Sequence, residues 1–119
     1  MKYLFLLYGP DGPLPELGTA EAVAMYERWS AATVPMAQAG VLIDCAPVQP
    51  ASASTTLQVR NGEVMLTDGP AAEIKEHFGG FTLVECANLD EALKWAATLP
   101  TAAEGSIEIR PVINTSPPG

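Results

Sequence analysis

Basic residues are scarce. Lys and Arg total 6 against 14 Asp and Glu, a formal charge of −8 over 119 residues. A chain of that sign repels a phosphate backbone, so direct nucleic-acid binding is not expected. Long apolar runs are missing too. The longest, Tyr3 to Tyr8, has six residues, whereas a bilayer-spanning helix needs about 20. Lys2 before that run has the look of a signal peptide, but Gly9-Pro10-Asp11-Gly12-Pro13 follows at once, with no small-residue cleavage site. Two cysteines, Cys45 and Cys86, are too few for a disulfide framework and too distant for a redox pair. Both are expected as buried free thiols, in a cytoplasmic protein. A lone histidine, His77, cannot build a zinc site without ligands at the right spacing. The nucleophile elbow, the phosphate-binding lysine loop and the dinucleotide glycine fingerprint are all absent. No cofactor, metal or membrane partner is expected.

What is present is apolar. Hydrophobic residues make up 48% and charged residues 17%, too rich in core formers for a disordered chain. The length suits one domain, expected over residues 1–113 with a frayed tail at 114–119.

Residues 2–8 read as a buried central strand. Residues 9–18 hold three prolines and three glycines and form a loop. Thr19 is suited to cap a helix, with Glu21 in its first turn. Ala22, Met25, Tyr26, Trp29, Ala32, Thr33 and Met36 recur at helical spacing, and Gly40 is a suitable stop. Pro35 predicts a kink or an early end near Thr33. Val41 to Cys45 reads as a strand. Residues 55–67 alternate about Asn61-Gly62, the signature of a β-hairpin. Pro70 could open a short helix ending before Gly79-Gly80, with a strand from Phe81 to Cys86. Asn88 and Glu91 match a capping box for a second helix, which Pro100 ends. Ser106 to Val112 alternates as the last strand.

The order is β-α-β, a hairpin, then β-α-β. It predicts an α+β fold, a ferredoxin-like sandwich with an inserted β-hairpin. Helices cover one sheet face only, yet the first strand is apolar on both. A second copy of the chain is the expected cover, giving a homodimer with sheet against sheet.

Four stretches occur together in order: residues 2–9 (KYLFLLYG), 66–80 (LTDGPAAEIKEHFGG), 89–95 (LDEALKW) and 106–112 (SIEIRPV). Together they resemble the YCII-related family, specifically its DGPF-domain branch. The resemblance implies a dimeric ferredoxin-like α/β barrel with a pocket between sheet and loops. It implies no settled activity; some members of the branch accompany extracytoplasmic sigma factors. The chain departs from the pattern at Ala71, where the motif has Phe, and at Ile74, where it has Thr. Smaller relatives carry a His on the first helix and an Asp near the end of the second. Those positions align here with Trp29 and Leu99, so a His–Asp mechanism does not carry over.

Candidate chemistry centres on Asp68, which ends a strand before Gly69-Pro70. A carboxylate there could act as a general base once shielded from water, or it could fix the turn by accepting backbone hydrogen bonds. Lys75 could meet an anionic group, though the Glu73, Lys75 and Glu76 cluster also reads as a solvated face. His77 reads as a surface or capping residue. Glu108 and Arg110 share a strand face. They could bind a carboxylate, form an interface ion pair or lie in solvent. Gln49, with Ser52, Ser54 and Thr56, could offer neutral hydrogen bonds to a ligand. These residues predict a protein that binds a small anionic or phenolic metabolite near Asp68, with cofactor-free acid/base catalysis as one outcome. The alternative is a non-catalytic ligand-binding or regulatory module, associated with sigma-factor signalling if the resemblance extends that far.

Overall fold

The computed structural model describes residues 1–10, 14–72 and 76–115. Its elements are β1 (Lys2–Gly9), α1 (Ala20–Gln38), β2 (Leu42–Pro47), a 3-10 turn (Ala51–Ala53), β3 (Thr55–Arg60), β4 (Glu63–Asp68), β5 (His77–Glu85), α2 (Leu89–Ala96), α3 (Thr101–Glu104) and β6 (Ser106–Pro111). Four strands form one sheet in the order β2-β5-β1-β6, and β3-β4 stand apart as a second, two-stranded sheet. All pairings are antiparallel. With the hairpin set aside, the strands run 2-3-1-4 in chain order, the ferredoxin-like arrangement of two interleaved βαβ units.

Local chemistry explains the elements. The Thr19 hydroxyl accepts from the Ala22 amide at 3.2 Å and donates to the Glu16 carbonyl at 2.7 Å. At the far end, Gly40 takes φ 72°. The Val41 amide reaches the Met36 carbonyl at 3.0 Å and the Gly40 amide reaches Ala37 at 3.1 Å. This is a Schellman closure, with buried Met36 and Val41 as its apolar contact. Of the two outcomes expected at Pro35, a kink or an end near Thr33, the end does not occur: the helix runs through Pro35. Ala31 and Pro35 are both exposed, so the helix loses its one bond on the wet side. Tyr26, expected on the apolar face, is 73% exposed instead. At α2, Asn88 Oδ1 accepts from the Glu91 amide at 3.0 Å, and Glu91 Oε2 accepts from the Ala87 amide at 2.7 Å. The hairpin turn has Asn61 at φ 51° and Gly62 at φ 78°, the pair of positive angles that its sequence requires.

Two expectations fail around β5. The strand begins at His77 rather than Phe81, so Gly79-Gly80 lie within it. Of the short helix expected between Pro70 and Gly79, Ala71 and Ala72 form a bend, residues 73–75 lie outside the described residues, Glu76 is a bend, and His77 and Phe78 belong to β5. Gly80 suits the strand because β2 passes close: a Cβ there would stand 2.6 Å from the Ala46 carbonyl oxygen. The four-residue α3 was not anticipated. Of the expected tail, residues 116–119 lie outside the described residues.

The core lies between the sheet and its helices. Tyr3, Phe5 and Leu7 of β1 and Val84 of β5 meet Ala32 and Met36 of α1, with Ala92, Ala96 and Leu99 from the α2 side. Ile107 and Ile109 of β6 pack against its margin. On the opposite face, Leu4 pairs with Leu83 and Leu6 with Phe81, all half-buried. Among the described residues, no helix packs on this open face.

The core holds one polar anomaly. Thr82 is fully buried, and its hydroxyl is without a hydrogen-bond partner among the described residues. Replacing it with the isosteric Thr82→Val removes a desolvated hydroxyl, so thermal denaturation should show an unchanged or higher stability, by about 1 kcal/mol. A loss of more than about 1 kcal/mol would mean that the hydroxyl is satisfied. Gly105 is the opposite case, since a Cβ there would collide with the Tyr8 carbonyl oxygen. Gly105→Ala should detach β6 from β1 and lower the melting temperature sharply.

Candidate functional site

A groove of about 360 Å³ opens beside the start of β5. One wall is the β2–β3 connection, with Val48, Gln49, Pro50 and Ser54; Pro70, His77 and Phe78 face it. Main-chain bonds hold the walls. The Val48 amide donates to the Gly79 carbonyl at 2.9 Å, Ala53 to Pro50 at 2.9 Å, and Ser54 to Ala51 at 3.0 Å. The Gly69 amide donates to the Ser54 carbonyl at 2.9 Å, and the Thr56 hydroxyl donates to the Gly69 carbonyl at 2.7 Å. Prolines at 50 and 70 restrict the same segments. Phe78 stacks edge-on against Tyr8, ring centres 5.8 Å apart. The lining is apolar with three polar side chains, Gln49, Ser54 and His77.

The sequence candidates fall in different places. Gln49 lines the groove. Asp68 does not line it but sits next to its rim, through Gly69 and Pro70. Asp68 is exposed at the root of the hairpin, paired across to Thr55. The turn beyond it is held by Ser54, Thr56 and Gly69, and no side-chain hydrogen bond of Asp68 to a described residue takes part. Lys75 lies outside the described residues. Arg110 is not brought to the groove. It pairs with Glu108 through Nε on edge strand β6, on the open face and exposed. Strand β1 separates β6 from the groove wall on β5, and Arg110 pairs with Leu4, several residues along β1 from Tyr8 and Gly9, which pair with Phe78 and His77. His77 was weighed only as a surface or capping residue; it lines the groove beside Phe78. Phe78 and Val48 were not singled out, and no motif marks them. Their role appears only when β5 starts early enough to carry residues 77 and 78.

Among the described residues, no three His, Cys, Asp or Glu side chains gather closely enough to hold a metal ion. No helix among them is long and apolar enough to cross a membrane.

The profile of the YCII-related domain matches residues 1–116. The chain belongs to the YCII-related family. It is also 37% identical over 114 residues to an uncharacterized protein of Rhizobium meliloti (strain 1021), covering 94% of this chain and 92% of that protein. Trp29 packs against the core and Leu99 is buried within it, so neither brings a proton-moving group to the groove. In this YCII-related protein both side chains serve packing.

The two thiols differ. Cys86 is buried, but Cys45 is exposed on edge strand β2, which corrects the expectation that both are buried. Burial pushes the Cys86 thiol above its ordinary pKa, with the carboxylates of Glu91 and Glu85 adding to the rise and the chain's amino terminus opposing it. A thiol-disulfide reagent should label Cys45 quickly and Cys86 only on unfolding. The sign of the pH effect follows: above the ordinary thiol pKa the unfolded chain loses the Cys86 proton first. Stability should therefore fall as pH rises through the ordinary thiol range, and fall less steeply in Cys86→Ala. Equal slopes in denaturant titrations would remove Cys86 as the cause.

Proposed function

We propose that this YCII-related protein is a homodimer that binds a small metabolite with an aromatic or phenolic part in the Gln49–His77–Phe78 groove. The observation that carries this reading is the groove's construction: pre-formed walls, an apolar lining, and few polar groups, the usual makeup of a small-molecule site. Gln49 and His77 supply directional hydrogen bonds, and Phe78 a ring edge or face. Asp68 stands next to the mouth, where it can accept a proton from a phenolic or acidic substrate. Lys75, two residues from His77 in the chain, is the anion anchor of this reading. Arg110 serves as an interface charge on the open face. The half-buried Leu4, Leu6, Phe81 and Leu83 support a second protomer packed there, giving the dimeric barrel. Two free thiols and a formal charge of −8 support a cytoplasmic protein that does not bind nucleic acid.

A second reading, a ligand-binding module without turnover, is favoured by Trp29 and Leu99. They fill the proton-moving positions of smaller relatives with core packing.

The test is a thermal-shift screen of small carboxylates, phenols and amines on wild type, Gln49→Ala and Asp68→Ala. A ligand at about 100 times its dissociation constant adds about 2.7 kcal/mol, or about 10 °C. The shift should vanish in Gln49→Ala and weaken in Asp68→Ala. Hits unaffected by either change would move the site elsewhere. Product formed by wild type and lost in Asp68→Asn would establish catalysis; a ligand recovered unchanged would favour the module. Light scattering at micromolar concentration should give the dimer mass, and a monomer would remove the dimer.

A further inference from the structure

Hydrogen-bond donors are scarce in the groove. Among its lining residues, Val48, Ala53 and Ser54 spend their amides on the carbonyls of Gly79, Pro50 and Ala51. Pro50 and Pro70 have no amide hydrogen to give. Ser54 is the informative side chain. It is half-buried, and its hydroxyl donates to the Ala51 carbonyl at 2.5 Å. With its single proton spent there, the Ser54 oxygen can only accept from a ligand. Thr56, two residues on, is committed in the same way, its hydroxyl donating to the Gly69 carbonyl. Gln49 carries both a donor and an acceptor, and His77 offers either according to its tautomer, so neither sets a preference.

Charge points the same way. Residues 68–76 lead from the rim to β5 and carry Asp68, Glu73 and Glu76 against Lys75, in a chain of formal charge −8. That field resists an anionic head and admits a neutral or cationic one. The apolar part of a ligand has its own contact. The register of β1 and β5 slips between Leu7 and Tyr8, so Tyr8 pairs with Phe78 rather than with Gly79. The slip sets Phe78 edge-on to Tyr8 and leaves it 39% exposed in the groove wall, where a further aromatic ring can pack against it.

We infer that the groove selects its ligand by a hydrogen-bond donor. The ligand is an aromatic ring bearing a neutral hydroxyl or an amino group, and the Ser54 oxygen is the acceptor that specifies it. The inference rests on the metabolite-binding reading above and narrows it, because an aromatic carboxylate is excluded as the head that enters the groove. Ser54 is a specificity-determining residue, and the Ala51 carbonyl makes it one. Without that carbonyl the hydroxyl could turn and serve either kind of ligand. An acidic group elsewhere on such a ligand stays outside the groove.

The test uses probes with the same ring and different heads: p-cresol, p-toluidine, 4-methylanisole and 4-methylbenzoate. Each is titrated against the full chain at neutral pH, with dissociation constants and shifted amides read by heteronuclear NMR. p-Cresol and p-toluidine should shift the amides of the groove. 4-Methylanisole lacks the donor and should bind about fivefold more weakly, the worth of one hydrogen bond. 4-Methylbenzoate should bind at least about tenfold more weakly, since its charge meets a like field. In Ser54→Ala the preference for p-cresol over 4-methylanisole should vanish, and Ser54→Thr should restore it. A merely structural role weakens every probe alike and keeps the preference, and that result overturns the assignment of Ser54. Equal binding of p-cresol and 4-methylanisole by wild type, or 4-methylbenzoate binding as tightly as p-cresol, overturns donor selection and leaves the groove reading standing. No shift at the groove with any of these probes overturns the groove reading, and donor selection falls with it.

Discussion

Strand β1 has two apolar faces, and its own chain brings helices to only one of them. The rest of the structure follows from this constraint. Tyr3, Phe5 and Leu7 are sealed under α1 and α2, while Leu4 and Leu6 reach the open face beside Leu83 and Phe81. Being central in the sheet, β1 hydrogen-bonds to neighbours on both sides and cannot turn its outer residues away. The open face therefore keeps a row of half-buried apolar side chains, Leu4, Leu6, Phe81 and Leu83.

The same economy governs the inserted hairpin. It contributes nothing to the main sheet, yet it carries an apolar side that folding alone leaves wet. Its root is tied into the wall of the groove through Ser54, Thr56 and Gly69. The hairpin and the groove are thus mechanically joined through the segment that leads to Asp68.

The site itself is built from rigid loops rather than from charged clusters. Prolines, a 3-10 turn and short main-chain bonds set the shape of the groove. The charged groups that looked promising in the sequence are dispersed: Arg110 is tied to Glu108 on a far edge, and Asp68 stands outside the lining. Family membership is clear. A shared fold does not carry a reaction with it, and here Trp29 and Leu99 are given over to packing.

The sequence by itself determined the order of the six strands and the two main helices, the caps at Thr19 and Asn88, the Asn61-Gly62 turn and the apolar character of both faces of β1. These are written in contacts a few residues apart or in the two-residue alternation of strands. It misjudged what depends on distant partners. Pro35 stays helical because Ala31 faces water. Gly79-Gly80 continue a strand because β2 runs too close for a side chain at 80. Cys45 is exposed because β2 is an edge strand. Only the tertiary structure decided that His77, Phe78 and Gln49 share a groove from which Arg110 is excluded. Their proximity comes from strand order and register, properties of pairing between remote segments that no local spacing encodes.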